Sequence, residues 1–270
     1  MSAPLGFDLD AYLARIGLGG ARAPTFAELH RAHATAIPFE NIDPQRGLPV
    51  SLALGDLEQK LVAERRGGYC FEQNLLLKGA LEALGAEVEL VLARALLGSA
   101  PGEVRPRSHL LLRVQDGDGV WHADVGFGMG TLLEPIPFGP GAEHEQLGWR
   151  FRVVERGPEL VLQSAESTRW IDLYTFLPYA VPGIDIEAIN WWTSTHPSSR
   201  FVAGLLLAPN DEDGKRVSLS DWGELALVER TPSSKHATAL EYAQLPRVIA
   251  EQFGIEDLRL GSDGRQLLLP

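Results

Sequence analysis

The sequence predicts an α+β fold with a helical first third, a middle rich in β-strands and a last third that mixes helices and strands. Two observations indicate this division. Apolar residues recur at helical spacing up to Gly85, and short apolar and β-branched runs separated by turn residues follow it. No long linker and no internal repeat interrupts the 270 residues, so we expect one compact body.

The first two helices are predicted from their boundaries. Residues 8–16 place apolar groups at helical spacing and begin with acidic residues, which stabilise a helix N-terminus. Thr25 and Glu28 have the spacing of a capping box, so a second helix begins after Thr25. It must end before Pro38, because the residue that precedes a proline avoids the helical conformation.

Two further helices lead to the single cysteine. Asp56 is the predicted cap of a short helix over residues 57–65. Residues 75–84 are apolar, lack β-branched residues and end at Gly85, which predicts a buried helix. Cys70 therefore lies at or near the N-terminus of that helix.

Beyond Gly85 the apolar runs are short and typical of strands. The sequence Asp-Gly-Asp-Gly at residues 116–119 predicts a hairpin turn between two of them. The last third combines two strands with two helices. The predicted strands cover residues 88–95, 109–114, 120–125, 151–154, 160–163, 217–219 and 225–229, and the predicted helices cover residues 185–192 and 240–253.

Composition excludes several classes of partner. Hydrophobic residues make up 45% and charged residues 22%, as in a soluble globular protein. The net charge of −12 opposes binding to nucleic acid. An anionic small ligand would need a local cluster of cations or of backbone N–H groups.

The sequence also predicts a cytoplasmic protein that has no membrane partner. No apolar run reaches the roughly 18 residues of a membrane-spanning helix. The first ten residues lack the basic and apolar regions of a secretory signal. One cysteine excludes an internal disulfide, as expected in a reducing compartment.

The thiol of Cys70 is the first candidate for chemistry. Gly67 and Gly68 allow the backbone to bend tightly before it, and the positive end of a helix dipole favours the thiolate form of a cysteine. A lone cysteine is nevertheless more often a small buried apolar residue. The position of Cys70 alone leaves both interpretations open.

The predicted hairpin supplies a proton acceptor. His109 begins one strand and Asp124 lies at the end of the next, so antiparallel pairing brings them side by side. Asp124 would orient the imidazole, His109 would accept the thiol proton, and Cys70 would attack an acyl carbonyl. A strand-end histidine facing water is the ordinary alternative, and His122 competes with His109 for the role of base.

No metal or nucleotide motif is indicated. A single cysteine without CxxC or HxxxH spacing does not provide the ligands of a structural zinc site, and His30 and His33 lack a third ligand nearby. Neither a GxxxxGK[ST] nor a GxGxxG pattern occurs. We interpret the glycine-rich residues 126–130 as the wall of a substrate slot rather than as a phosphate loop.

Five blocks occur together in the order of a known family. The arginine-glycine-glycine-aromatic-cysteine block is the most specific of them. The sequence resembles the arylamine N-acetyltransferases, which transfer acetyl from acetyl-CoA to aromatic amines and hydrazines. The matching blocks are residues 37–43, residues 66–72 with Asn74, residues 108–110, residues 124–128 and residues 190–198.

The resemblance implies an architecture and a mechanism. Residues 1–85 would form a helical bundle carrying the nucleophile, residues 86–195 a β-barrel carrying the histidine and aspartate, and residues 196–270 an α/β lid, around a catalytic core like that of cysteine proteases. Acetyl-CoA would be the donor, no metal would be required, and the acetyl group would rest on the cysteine between two ping-pong half-reactions. The implied acceptors are arylamines, arylhydrazines and N-hydroxyarylamines, and an oligomer is compatible with the sequence.

Aromatic residues near the nucleophile are implied to contact the acceptor. Phe39 and Phe127 match family positions that line the acceptor slot, where aromatic walls suit a flat aniline ring. Tyr69 and Phe71 flank the nucleophile and either join this wall or pack in the core.

Two further groups follow from the same resemblance. Glu40 and Arg66 match a charged pair that supports the region behind the cysteine. Coenzyme A is expected to meet the backbone of the glycine-rich segment at Gly126, Gly128, Gly130 and Thr131. Met129 departs from the usual family pattern, and the likeness fades after about Phe201, so no CoA contact is assigned there.

Three other functions are compatible with these residues. An amide synthase of the same fold would use the same three residues to cyclise a carrier-bound polyketide chain. A cysteine hydrolase or transglutaminase-like enzyme would also combine cysteine, histidine and aspartate. A binding module that retains the fold without catalysis is the third. Acetylation of a simple aniline in the presence of acetyl-CoA distinguishes the transferase from the synthase. Peptide cleavage without CoA would indicate the hydrolase, and a Cys70 that reacts with iodoacetamide no faster than a free thiol would indicate the binding module.

Overall fold

The computed structural model describes residues 6–20, 22–100, 102–211 and 213–269. Within them the chain forms a helical N-terminal part, a nearly closed eight-stranded sheet and a second, five-stranded sheet covered by a helix. The α+β fold class predicted from the sequence is confirmed. Residues 1–5, half of the stretch used to exclude a secretory signal, lie outside the described residues.

The N-terminal part contains five helices. Asp8 caps the first through a 3.0 Å hydrogen bond from the N–H of Ala11. The capping box at Thr25 and Glu28 is confirmed, with the Glu28 carboxylate accepting from the N–H of Thr25 at 2.8 Å. The helices are α1 Leu9–Arg15, α2 Phe26–Ala36, α3 Ile42–Gln45, α4 Leu54–Leu57, which continues as a π-helical segment Glu58–Ala63, and α5 Cys70–Ala83.

The prediction that Asp56 caps a helix over residues 57–65 is wrong. The helix begins earlier, at Leu54, because the carbonyl of Ala53 accepts the N–H groups of Asp56 and Leu57 at 2.9 and 3.0 Å. Asp56 is therefore already inside the first turn.

The eight-stranded sheet forms a nearly closed barrel. In sheet order its strands are β5 Ile136–Pro137, β4 Gly119–Ala123, β3 His109–Asp116, β2 Glu87–Ala95, β9 Arg169–Phe176, β8 Glu159–Glu166, β7 Trp149–Arg156 and β6 His144–Gln146. At the open seam the side-chain amide of Gln146 accepts from the N–H of Leu133 and donates to the carbonyl of Glu134, both at 2.8 Å.

The predicted hairpin joins β3 and β4. Asp116 pairs with Gly119, and the register runs from this pair to Leu112 and Ala123. Gly117 has a φ of +57°, which a two-residue hairpin turn requires. The barrel interior is filled by large apolar side chains such as Phe151, and a separate apolar cluster lies between α5, the other N-terminal helices and β3.

The second sheet joins distant parts of the chain. In sheet order its strands are β1 Phe39–Glu40, β10 Leu206–Ala208, β11 Arg216–Ser220, β12 Ala226–Thr231 and β13 Ser234–Ala239. Strand β1 pairs antiparallel with β10. The division at residues 85 and 195 stays a prediction, and β1 crosses the first boundary to join this sheet. The remaining elements are α6 Gly183–Thr195, α7 Arg200–Ala203, α8 Leu245–Phe253, β14 Arg259–Leu260 and β15 Leu267–Leu268.

Candidate active site

Cys70 is the first residue of α5, as its position after two glycines indicated. The glycines are needed because other atoms lie where their side chains would be. A Cβ on Gly67 would lie 2.1 Å from the carbonyl oxygen of Pro38, and one on Gly68 would lie 2.8 Å from the carboxylate of Glu72. The sulfur lies at the positive end of a 14-residue helix, 3.6 Å from the carbonyl oxygen of Ser108.

His109 and Asp124 are brought together by the β3–β4 hairpin. The register places Asp124, one residue beyond β4, diagonally across from His109 rather than directly opposite. Diagonal neighbours on one face remain within reach of long side chains. Nε2 of His109 and Oδ2 of Asp124 are 2.8 Å apart, and both side chains are buried. The other ring nitrogen, Nδ1, is free of Asp124, and Cys70 and His109 line the same cavity.

The two groups shift each other's pKa in opposite directions. Burial lowers the pKa of His109, but the charge and hydrogen bond of Asp124, together with the contact to Cys70, outweigh it and raise the pKa to about 10. Burial raises the pKa of Asp124, but the charge and hydrogen bonds of His109 outweigh it and lower the pKa to about 2. The pair is therefore imidazolium and carboxylate at neutral pH, and an imidazolium stabilises a neighbouring thiolate.

Three further hydrogen bonds, which the sequence did not reveal, fix the position of Asp124. Its Oδ1 accepts from the side-chain amide of Asn74 at 3.0 Å and from the N–H of Gly126 at 2.9 Å. Its own N–H donates to Nε2 of His30 at 3.1 Å. Asn74 stood in a matching sequence block without a role, whereas nothing local to His30 on α2 indicated this contact.

His122 does not take the place of His109. Its Nε2 is hydrogen-bonded to the hydroxyl of Tyr174 at 2.7 Å, and burial lowers its pKa to about 4. His33 is likewise engaged, between Tyr12 and Gln73. Among the residues that the structure describes, no group of three His, Cys, Asp or Glu side chains could hold a metal ion. Nor does any described helix have the length and apolar character needed to cross a membrane.

A cavity of about 350 Å³ opens onto Cys70 and His109. Phe39 and Phe127 line it, at the positions that the resemblance implied for the acceptor slot. The cavity is also lined by residues to which the sequence analysis gave no role, although Trp192 lies in one of the matching blocks. These are Val104, Arg105, Trp192, Arg200, Phe201 and Trp222.

Tyr69 and Phe71 are not in this cavity. Both are fully buried and their rings pack against each other at 5.4 Å in an edge-to-face arrangement. The Tyr69 hydroxyl donates a hydrogen bond to the side chain of Asn190. Their position corrects the expectation of substrate contact, since side chains on either side of the first residue of α5 point into the core.

Glu40 and Arg66 form the expected pair within a larger buried network. Arg66 donates to Glu40 at 2.6 Å and to Asp43 at 2.9 Å, and Lys60 contacts Asp43 and Glu72, each at 2.7 Å. Glu72 also accepts from the N–H of Tyr69 at 3.0 Å. The network thus reaches the backbone that carries Cys70, and it leaves few of its charges without a partner.

The glycine-rich segment divides between two surroundings. Gly126 lines the active-site cavity, and a Cβ there would lie 2.7 Å from the Cα of Cys70. Gly128 has a φ of +77° and lies against the ring of Phe39. Gly130 lines a second cavity, whereas the hydroxyl of Thr131 is buried and donates to the carbonyl of Gly128 at 3.0 Å. The Thr131 side chain is therefore engaged inside the loop.

Known proteins are similar to this chain in both sequence and fold. Residues 23–259 match the family model described as N-acetyltransferase. The arylamine N-acetyltransferase of Mycolicibacterium smegmatis is 38% identical over 259 residues, which is 93% of both chains. The chain belongs to the arylamine N-acetyltransferase family. It is an acetyltransferase with the family's α+β fold.

Two other relatives extend the comparison. The structure of Mycobacterium marinum arylamine N-acetyltransferase in complex with CoA superposes with a TM-score of 0.85 at 35% identity, covering 92% of this chain and 93% of that one. A Salmonella typhimurium protein named arylamine N-acetyltransferase / N-hydroxyarylamine O-acetyltransferase is 32% identical over 250 residues, covering 92% of this chain and 88% of the relative.

Proposed function

We propose that this acetyltransferase moves an acetyl group from acetyl-CoA to arylamines, arylhydrazines or N-hydroxyarylamines through an acetyl-Cys70 intermediate. The observation that carries the proposal is the imidazolium–carboxylate pair of His109 and Asp124 beside Cys70, on a cavity that Phe39 and Phe127 also line. The CoA complex of the Mycobacterium marinum relative and the name of the Salmonella typhimurium relative support the donor and the acceptor class.

In the first half-reaction the Cys70 thiolate attacks the thioester carbonyl of acetyl-CoA. A carbon–sulfur bond forms to Cys70, and the bond to the CoA sulfur breaks as the tetrahedral intermediate collapses. Backbone N–H groups at the start of α5 stabilise the negative oxygen of that intermediate. His109 gives its Nδ1 proton to the departing CoA thiolate and becomes neutral.

In the second half-reaction the acceptor nitrogen attacks the acetyl group on Cys70. Neutral His109 takes the proton from the nitrogen, and the Cys70 thiolate leaves, which restores the starting ion pair. An N-hydroxyarylamine reacts in the same way through its hydroxyl oxygen. Asp124 remains deprotonated throughout the reaction and holds the imidazole in one orientation.

The acceptor binds with its ring against Phe39 and Phe127. Both rings line the cavity, and His109 packs edge-on against Phe127 with ring centroids 5.0 Å apart. Aromatic walls favour stacked or edge-to-face contacts with a flat ring. The acyl donor approaches along the backbone of Gly126, which lines the same cavity.

Mass spectrometry of the protein incubated with acetyl-CoA alone tests the intermediate. We expect a gain of one acetyl group on the peptide that contains Cys70, together with one equivalent of free CoA. Addition of aniline should then remove the acetyl group from the protein. Turnover of acetyl-CoA and aniline without any acetylated protein would indicate direct transfer, and no acetylation of simple anilines would favour the amide synthase.

A further inference from the structure

Three cations form a row across the second sheet. Arg216 on β11 pairs directly with Arg230 on β12, and Arg230 pairs directly with Lys235 on β13. Side chains that are directly opposite in an antiparallel pair share one face and lie about 5 Å apart at Cβ. Like charges in such a row repel each other, so the arrangement is unfavourable unless an anion lies among them.

No carboxylate pairs with these cations in the described part of the chain. Arg216 is 5% exposed, and its two terminal nitrogens donate to the carbonyls of Met129 and Thr131 at 3.4 and 3.0 Å. The Nε atoms of Arg216 and Arg230 are buried without a hydrogen-bond partner. Burial, followed by the charge of Arg230, lowers the pKa of Arg216 to about 9. A protein of net charge −12 thus has a local excess of positive charge here.

The row lines a cavity of about 170 Å³ between the barrel and the second sheet. The cavity has one acidic side chain, Glu166, among its described lining residues. Leu97 and Met129 line both this cavity and the one that contains Cys70, so the two are neighbours. Hydroxyl groups complete the polar wall and belong to Ser164, Ser167, Thr231, Ser233 and Ser234.

We propose that Arg216, Arg230 and Lys235 form a binding site for the phosphate group of a small molecule. A phosphate carries the multiple negative charge that three cations can balance, and guanidinium groups donate to its oxygens in pairs. The unpartnered Nε atoms and the hydroxyl groups supply further donors around the anion.

Two sources could supply this phosphate. If the proposed acetyl transfer is correct, the phosphates of acetyl-CoA are the first, since the neighbouring cavity would hold its thioester. A free phosphorylated molecule that binds independently of the donor is the second. The chemistry of the site is the same for both, and a donor without phosphates separates them.

The first arm measures binding by calorimetry at constant ionic strength, with inorganic pyrophosphate as the probe. Arg230→Gln should weaken binding about tenfold, the loss of one hydrogen bond between charged groups. Lys235→Gln should weaken it in the same direction. Lys215→Gln is the matched control, because Lys215 lies beside Arg216 in sequence, pairs with Glu229 and does not line the cavity.

The second arm compares kcat/KM for acetyl-CoA with that for S-acetylpantetheine, which has the same thioester arm and no phosphate. A ratio that falls about tenfold in Arg230→Gln identifies the donor phosphates as the ligand. A constant ratio with weakened pyrophosphate binding supports the site and assigns it to a free phosphorylated molecule.

The proposal is overturned if the double variant Arg230→Gln, Lys235→Gln binds pyrophosphate as the unmodified protein does and keeps the same ratio of kcat/KM values. Failure of the unmodified protein to use either donor would instead contradict the proposed acetyl transfer. The calorimetric arm does not depend on turnover, so it still decides the phosphate site in that case.

Discussion

The charged side chains at the two neighbouring cavities have different kinds of partner. Beside Cys70, His109 and Asp124 neutralise each other at 2.8 Å, and Asn74 and Gly126 satisfy the second carboxylate oxygen. In the second sheet the residue paired directly with Arg216 is another cation, Arg230. Asp124 neutralises the charge of His109 from within the protein, whereas Arg216 has only neutral partners among the described residues, the carbonyls of Met129 and Thr131 and the ring of Trp149. An anionic ligand is what the second site still lacks for charge balance.

Removal of the sulfur tests the first cavity most severely. Cys70→Ala should lower the rate of acetyl transfer by about 10⁴-fold or more, because no other group can carry the acetyl intermediate. The rate is measured as CoA release with aniline as acceptor, and circular dichroism shows whether the fold is retained. A folded Cys70→Ala protein that still transfers acetyl would show that the thiol is not the nucleophile.

Asp124→Asn should lower kcat by about 10³- to 10⁴-fold. In the unmodified protein Nε2 of His109 donates to a carboxylate oxygen of Asp124, whereas in the variant it would face the N–H group of the amide. The imidazole ring therefore loses both its orientation and the stabilisation of its positive charge. Asp118→Asn in the exposed hairpin turn is the matched control. Near-normal turnover by Asp124→Asn would contradict the orienting role.

Gly126→Ala should lower kcat by about 100-fold, since displacement of reacting groups by about 1 Å has effects of this size. The new methyl group would lie 2.7 Å from the Cα of Cys70. Gly55→Ala adds the same methyl group where no atom lies within 4 Å. Equal activity of both variants would show that the loop containing Gly126 can shift without displacing the catalytic residues.

The pH dependence follows from the raised pKa of His109. NMR titration should show the imidazole protonated up to about pH 10. Because the unfolded value is near 6.5, the contribution of His109 to the free energy of unfolding is complete below pH 6.5. It is lost as the pH rises towards 10. In Asp124→Asn the pKa of His109 should fall towards its ordinary value, and an unchanged value would contradict the pairing.

Lys235→Gln should have the smallest effect in this series. Without added phosphate, removal of one cation from the row should leave the free energy of unfolding unchanged or raise it by up to about 0.5 kcal/mol. Urea unfolding measures this value, and Lys215→Gln, which loses its ion pair with Glu229, should be neutral or slightly less stable. A clear loss of stability in Lys235→Gln would mean that the row already has an internal partner.

Some elements escaped the sequence reasoning for identifiable physical reasons. Strand β9 pairs with β8 across an irregular register near Leu162 and Gln163, which breaks the simple alternation of apolar residues. Strand β13 is exposed along its whole length and shows no alternation at all. The row of cations was invisible because its members are adjacent only through cross-strand pairing.

The sequence by itself determined the features that depend on neighbouring residues. These include the capping box at Thr25, the hairpin at residues 116–119 and the position of Cys70 at a helix N-terminus. It also brought His109 near Asp124, because one short turn joins their strands.

Only the tertiary structure decided which distant groups meet. In the folded protein Nε2 of His109 is hydrogen-bonded to Asp124, and Asn74 and His30 are hydrogen-bonded to the same aspartate. Tyr69 is buried in the core. Periodicity reports which face of an element is apolar, but the register and packing between segments far apart in the chain depend on all of them at once.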